Sequence, residues 1–425
     1  DFFKDIEQID ALKLRFGWGQ TGNSDIGGGF QYLDKISEAT QFSPVFGDDQ
    51  HIARAQYVFY GFGSKEIHWE AAEMLNFGVD LNMFGNRLQT SAEYYIKNNN
   101  DLLVAIPISA AFGRQDGNPW FNTGNIQNRG IELSLQWREK RGEFEYGIVS
   151  NFTTIKNEVK YLPVTDITTG NNRTVEGHSI GALYGFVSDG IIQLNEDNYA
   201  KGVDGNWQKD ANGLYTGYKH ATHAGNTPQP GDIMYKDLNA DGDVTDLDKT
   251  IIGKTIPSFN YSLGFDCNYK NFDVSLFFYG VGDFHIYNAQ RANLSSMNSQ
   301  DMDHNKLNDF AQNYWTLENA STTHVRLDPS NRNVNDRISS FWIEDGSFLR
   351  LKDTQVGYTL PETFCTRIGI ASLRLYVNAS NLFCITSYKG RDPEGFISSN
   401  PLSSGTDGGS YSMPKTFTGG LQIQF

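Results

Sequence analysis

At 425 residues the chain is long enough for two or three ordinary soluble domains or for one large all-β domain. Only 20% of it is charged while 13% is aromatic, with 43 Gly, a mixture that suits many strands, aromatic rims and tight turns and excludes an ordinary helix-rich enzyme. No apolar run reaches the ~18 residues of a transmembrane helix, and a net charge of −15 argues against nucleic acid, whose phosphates need clustered Lys and Arg.

Period-two alternation then recurs along the chain in segments near the roughly 9–11 residues that a tilted strand needs to cross a bilayer. Ala11–Gly19 is the first, followed by a polar stretch over 20–70. Leu75–Met83 and Leu88–Lys97 make a hairpin around Phe84-Gly85-Asn86-Arg87, expected to close on the periplasmic side. After a polar stretch over 99–128, Gly130–Arg138 is the clearest segment. Ile131, Leu133, Leu135 and Trp137 share one face and Glu132, Ser134, Gln136 and Arg138 the other, as lipid outside and water inside require.

Phe144–Lys156 and Ile180–Gly190 follow, then a polar stretch over 191–257, then Asn260–Tyr269 and Phe272–Gly282. A further polar stretch over 283–340 precedes Phe348–Leu360 and Leu373–Phe383, and after 384–416 the chain ends on Phe417–Phe425. Phe144–Lys156 and Phe348–Leu360 keep their alternation only with a bulge or a change of face. Short turns alternating with long Asn-, Asp-, Gly- and Ser-rich loops fit the two sides of an outer-membrane barrel, and a closing strand that ends on Phe425 fits its terminus. About eleven strands is an odd count for a single-chain barrel. With no initiator Met before Asp1-Phe2-Phe3, the expectation is a fragment: residues 1–425 are the C-terminal portion of a transmembrane antiparallel β-barrel, the missing strands and any plug lying before Asp1.

Cys267, Cys365 and Cys384 form no CxxC pair and no even framework, so neither zinc nor a disulfide scaffold is indicated. One constellation does resemble a metal site. Asp237, Asn239, Asp241, Asp243 and Asp248 stand at positions 1, 3, 5, 7 and 12 of a D-x-N-x-D-G loop, with Gly242 at the sharp turn. Hard oxygen donors at this spacing can wrap a structural Ca²⁺, with the Asp243 carbonyl as the seventh-position donor. Against that stand Asp at position 12 in place of the longer Glu, and no helical pattern on either side. The alternative is an Asx-rich turn satisfied by its own backbone amides. Neither reading implies catalysis.

Nothing points to an enzyme. The histidines, His220 and His223 among them, lie in polar stretches without HExxH or a nucleophile, and GxSxG and GxxxxGK[ST] are absent. Acid pairs such as Asp301 with Asp303 or Asp392 with Glu394 read as solvated carboxylates. Trp120, Phe121, Trp207, Tyr215, Tyr218, Tyr314 and Trp315 either stack on a ligand or pack within loops and against a partner.

A series of blocks, in order, resembles the SusC/RagA-like TonB-dependent transporters of the Bacteroidetes outer membrane. Leu12–Asn23 carries Gly19-Gln20-Thr21-Gly22-Asn23. Trp69-Glu70, Tyr94-Tyr95, Asp101-Leu102-Leu103 and Asn125–Leu133 follow. Then come Gly181-Ala182-Leu183-Tyr184-Gly185-Phe186, Gly231–Asp237, Asp345–Lys352, Asn381-Leu382-Phe383 and Asp392-Pro393-Glu394. The resemblance implies the C-terminal part of a barrel of about 22 strands with a plugged lumen, a SusD-like surface lipoprotein as lid, and energy from TonB acting on a plug that this chain does not contain. It further implies a dimer of transporter–lipoprotein pairs and import of an oligosaccharide, with a peptide as the alternative cargo, and no required cofactor. A passive porin or surface-binding barrel is the competing function, and a secreted glycan-binding or hydrolytic protein is disfavoured by the apolar outer faces.

Overall fold

A computed structural model describes residues 8–23, 32–39, 56–106, 119–296, 305–330, 333–396 and 400–425. Ten long strands are found among them: β1 Ile9–Asn23, β2 Glu70–Met83, β3 Leu88–Ala105, β4 Trp120–Arg141, β5 Phe144–Thr154, β6 Phe259–Tyr269, β7 Phe272–Gly282, β8 Phe348–Thr359, β9 Ser372–Thr386 and β10 Thr416–Gln424. No helix among the described residues is long and apolar enough to cross a membrane. The chain divides into two compact units, one of residues 1–137, 151–167 and 175–179, the other of 138–150, 168–174 and 180–425.

In the first unit β1, β2, β3 and β4 pair antiparallel in sequence order. The register carries the alternation from strand to strand: Leu14 lies opposite Val79, Val79 opposite Ala92 and Ala92 opposite Leu133, while Phe16, Phe77, Tyr94 and Ile131 form the next row of the same face. This face is bare. Phe16 is 68% exposed and packs sideways on Phe77, with ring centroids 5.1 Å apart. A soluble sheet would cover such a band, since contiguous exposed apolar patches of this kind are rare in water. At about 3.3 Å per residue and a tilt near 40°, Leu75–Met83 rises roughly 20 Å, close to the ~25 Å apolar band of a barrel wall. Aromatics mark its ends: the Trp18 indole N–H donates to Glu73 Oε1 at 2.8 Å, and Trp137 lies beside Phe84 and under Arg87.

The four-residue turn between β2 and β3 is as expected. Phe84, Gly85 and Asn86 all have positive φ, and the Asn86 N–H donates to Asp10 Oδ2 at 2.8 Å. The strands run on past the apolar band, however. Residues 102–105 pair with 120–124, and Lys156–Tyr161 pairs with 125–129, so strand runs through most of the described part of 99–128, where only polar loop was expected. Val104 and Val159 in these extensions are buried, so their apolar residues serve local packing and the lipid-facing period does not continue into them.

In the second unit β6 to β10 pair antiparallel in order. Cys267, Val274, Val356 and Val377 form one row of its outward face, and Leu375, Val377, Phe417 and Leu421 are exposed on it. The bulge needed in Phe348–Leu360 is present: the register shifts on both sides of β8 at Lys352, opposite Asn381, whose φ is +56°. Asn381-Leu382-Phe383 is therefore the point at which β9 absorbs an extra residue.

Two expectations are corrected. Ile180–Gly190 is not a wall strand; it forms the short strands Ala182–Gly185 and Ser188–Ile191, which pair with Thr250–Gly253 and Ile233–Tyr235. The stretches 191–257 and 283–340 are not merely polar loops either. Together with 180–190 they enclose a core of their own, made of Leu183, Phe186, Ile233, Tyr235, Val244, Tyr287, Phe310, Trp315, Val325 and Trp342. At about 1.5–3 kcal/mol for each fully buried large side chain, this core is substantial. Its members are scattered over 160 residues of sequence (183 to 342, counted inclusively), so no local period announces it.

If the bare face meets lipid, Leu133→Arg in β4 costs about 2–4 kcal/mol near the bilayer midplane. Folding of the whole protein into lipid vesicles, followed by the heat-dependent gel shift of folded barrels, measures it. An unchanged midpoint would contradict the assignment of that face.

Candidate functional site

The face of the wall opposite the apolar band is polar and ion-paired. In the first unit Arg15 of β1 clamps Asp80 of β2 with two hydrogen bonds, from Nε at 2.8 Å and from the second guanidinium arm at 2.9 Å. Its remaining arm passes on to Glu93 Oε2 of β3, at 2.9 Å. That reach crosses β2 at Gly78, where a Cβ would stand 2.9 Å from the guanidinium. In the second unit Arg374 of β9 crosses Gly357 of β8 in the same way to reach Asp273 of β7, and a Cβ at 357 would come within 2.4 Å of that carboxylate. Asn378 and Ser380 donate to Asp353 on the same face. A planar guanidinium with five donors suits such spanning contacts better than an ammonium would. The arrangement gives a rigid polar lining with no reactive group singled out in it.

The packed core of the second unit is organised by the motif Gly231–Asp237. Gly231 has φ +90° and lies against Trp315 and Arg326, so close that a Cβ would be 2.6–2.7 Å from both. Asp232, 1% exposed, accepts from Arg326 Nε at 2.6 Å, from Asn335 Nδ2 at 3.0 Å and from the Gln229 N–H at 2.8 Å. The next residues, Ile233 and Tyr235, enter the core. A buried carboxylate with this many donors fixes three separate segments around one point, because an unpaired partner there would be costly.

Asp392 and Glu394 are not the solvated carboxylates expected: Asp392 is buried and both acids are ion-paired. Arg350, 4% exposed, pairs with Asp392 at 2.5 Å and with Glu394 at 3.1 Å, and Lys352 pairs with Glu394. Two sequence blocks, Asp345–Lys352 and Asp392-Pro393-Glu394, thus exist to hold each other. Asp301 and Asp303 lie outside the described residues.

The Asp-rich loop is closed by backbone amides. Asp237 accepts from the N–H groups of Ala240 at 2.6 Å and Gly242 at 2.8 Å, Asn239 from Asp241, and Asp241 from Asp243. Asp243 turns to Thr222 Oγ1 at 2.7 Å and the Gly225 N–H at 2.9 Å. The backbone N–H of Gly225, followed by the side-chain hydroxyl of Thr222, holds its carboxyl below the ordinary aspartate range. Asp248 is buried and accepts from Leu238 at 2.8 Å and Thr245 at 2.7 Å, closing a capping box with Thr245. Burial acts to raise its carboxyl, yet the amides of Thr245, Leu238 and Asn239 together hold it low. Among the described residues no three His, Cys, Asp or Glu side chains form a group able to hold a metal ion. The spacing of a calcium loop is present, and its position-12 carboxylate, Asp248, accepts from backbone amides.

The two histidines separate. His220 Nε2 meets Asn198 Oδ1 at 3.0 Å, whereas His223 is fully buried with Nδ1 on Asn333 Oδ1. Of the aromatics, Trp315 belongs to the core and donates to Gln193 at 3.0 Å, and Tyr314 packs against that core. Trp207 lies under Lys201, 4.8 Å from its centroid, and Tyr215 under Lys209 at 4.4 Å. Tyr218 packs on Tyr199, while Trp120 and Phe121 are exposed.

No protein-family model matches the chain. Over its whole length it is 31% identical, across 442 aligned residues, to TonB-dependent receptor P3 of Formosa agariphila, of which it covers 40%. It is 27% identical to TonB-dependent receptor SusC of Bacteroides thetaiotaomicron, of which it covers 38%. Among solved structures it aligns in full with 42% of a chain of the RagAB peptide transporter, at a TM-score of 0.76 and 20% identity. The chain thus spans about two fifths of the length of the curated relatives it matches.

His223 supplies a pH test of the packed core. Burial, the largest influence, lowers its pKa from 6.5 to about 4; Asn333 and Asp243 act the other way and Arg337 reinforces the shift. Among the described residues its Nε2 has no hydrogen-bond partner, so a proton added there would be buried and unpaired. The unfolded region takes up that proton first. The stability of this core is therefore complete above pH 6.5 and falls by about 1.4 kcal/mol per pH unit toward pH 4. Limited proteolysis across this range should show cleavage within 180–340 rising as pH drops, and His223→Gln should flatten the profile. A flat profile in the native protein would contradict the burial of a neutral imidazole.

Proposed function

Because the chain belongs to the SusC/RagA-like family of TonB-dependent outer-membrane transporters and its strands have the fold of such a barrel, we propose that it forms wall and outward loops of an importer of nutrient oligomers. The bare outer face sits in the lipid of the outer membrane. The ion-paired face lines the passage, and the packed region of the second unit stands at its outer mouth. Coupling to TonB passes through a plug supplied by the rest of the protein, and a SusD-like surface lipoprotein covers the mouth, in a dimer of such pairs.

The observation that carries this reading is the packed core of residues 180–344 attached to wall strands, a body that a simple pore does not need. Cargo is an oligosaccharide or a peptide. Sugar stacking is weakened as an argument because Trp207 and Tyr215 are covered by lysines and Trp315 is in the core. Selectivity then rests on shape and charge along loops and lining, with no covalent chemistry.

The test uses cells carrying the full-length protein. Uptake of labelled oligosaccharide and peptide pools should stop when the proton-motive force is collapsed, and a lipoprotein should co-purify in detergent. Uptake that persists without the proton-motive force, by a protein that purifies alone, would leave the passive-barrel reading in its place.

A further inference from the structure

Beside the outward core of the second unit lies a cavity of about 490 Å³, lined by Phe186, Val244, Thr245, Asp246, Lys249, Arg337 and their neighbours Ala224 and Ile338. Beneath it lie the core residues Phe186 and Val244, and Ala224 and Ile338 supply its open apolar surface. Two cations stand over one ring, Lys249 Nζ 5.2 Å and Arg337 Cζ 5.5 Å from the Phe186 centroid, and Arg337 also lies 5.9 Å from that of Tyr235. Their situations differ. Lys249 is paired with Asp246 at 2.9 Å, whereas among the described residues no acceptor engages the Arg337 guanidinium. Stacked on two aromatic rings, that guanidinium is held in place with its planar fork of donors unused.

We propose that this cavity binds the C-terminal residue of a short peptide, its carboxylate on Arg337 and its apolar side chain against Ala224 and Ile338. With Asp246 offsetting Lys249, the rim carries one net positive charge, which matches a single carboxylate and not a phosphate or sulfate dianion. A planar carboxylate also fits the guanidinium fork in two parallel hydrogen bonds. A sugar acid fits less well: with Lys249 paired to Asp246, the lining side chains offer its several hydroxyls little beyond Thr245 and Asp246. The Asp-rich loop thereby gains a role. Asp248 caps the turn that carries Asp246 and delivers Lys249, so the loop is the rim of the site.

This assignment rests on the importer reading in taking the peptide as cargo. Full-length protein in detergent is titrated calorimetrically with Gly-Gly-Leu, its C-terminal amide, Gly-Gly-Gly and D-glucuronate. Gly-Gly-Leu should bind roughly tenfold or more tighter than its amide, the value of one charged hydrogen-bond pair, and tighter than Gly-Gly-Gly. Arg337→Gln should abolish the difference between acid and amide. Equal binding of acid and amide to the native protein, no saturable binding of the acid, or glucuronate binding as tightly as Gly-Gly-Leu would each overturn the proposal, whether or not the variant folds. Energised uptake without discrimination between acid and amide removes the pocket assignment alone. Discrimination together with uptake that ignores the proton-motive force removes the importer reading and leaves the pocket.

Discussion

Within hydrocarbon no water is available to a peptide N–H or C=O, so each strand crossing it must find its backbone partners on neighbouring strands. The rest of the wall follows from that pairing. Once β1 to β4 are in register, every residue faces either lipid or the interior, and a slip by one position would exchange the two sets. Leu14, Phe16 and Trp18 can be bare only because Lys13 and Arg15 are turned the other way.

The inward face then has its own problem, since charged side chains in a confined polar lining must be paired. Arg15 and Arg374 solve it by reaching across a whole strand, over Gly78 and Gly357, so that one guanidinium holds the adjacent strand and the one beyond it, or a partner two strands away. Here glycine matters as an absent side chain more than as a flexible residue. The same logic reappears in the outward region, where Gly231 admits Trp315 and Arg326 beside Asp232, and where Arg350 gathers Asp392 and Glu394. Charge pairing there fixes loops that hydrophobic burial alone would leave with several arrangements.

Much of the wall was legible in the sequence because alternation is a local property. Gly130–Arg138 and the hairpin around Phe84–Arg87 needed only neighbours in sequence, and the bulge at Lys352 showed as a break in the period. Where a strand runs past the lipid-facing band, as in residues 102–105 and 120–124, its apolar residues pack locally and the period no longer marks it. Ile180–Gly190 alternates for a different core, and sequence cannot say which core an apolar face serves. The outward region was illegible as a folded body because Leu183, Ile233, Val325 and Trp342 meet only in space. Motif blocks could be recognised, yet that Asp392-Pro393-Glu394 answers Arg350 and Lys352 is a fact of geometry, as is the commitment of Asp248 to backbone amides.

The central claim is that one set of side chains on these strands meets lipid and the other meets water. It is tested most directly by single cysteines placed in turn at 131 to 136 of β4, in full-length protein from which Cys267, Cys365 and Cys384 have been removed, reconstituted in vesicles and labelled with an environment-sensitive fluorophore. Labels at 131, 133 and 135 should be quenched by brominated lipid, and those at 132, 134 and 136 by iodide from the aqueous side. Quenching by iodide alone at all six positions, or with no period of two, would contradict the account.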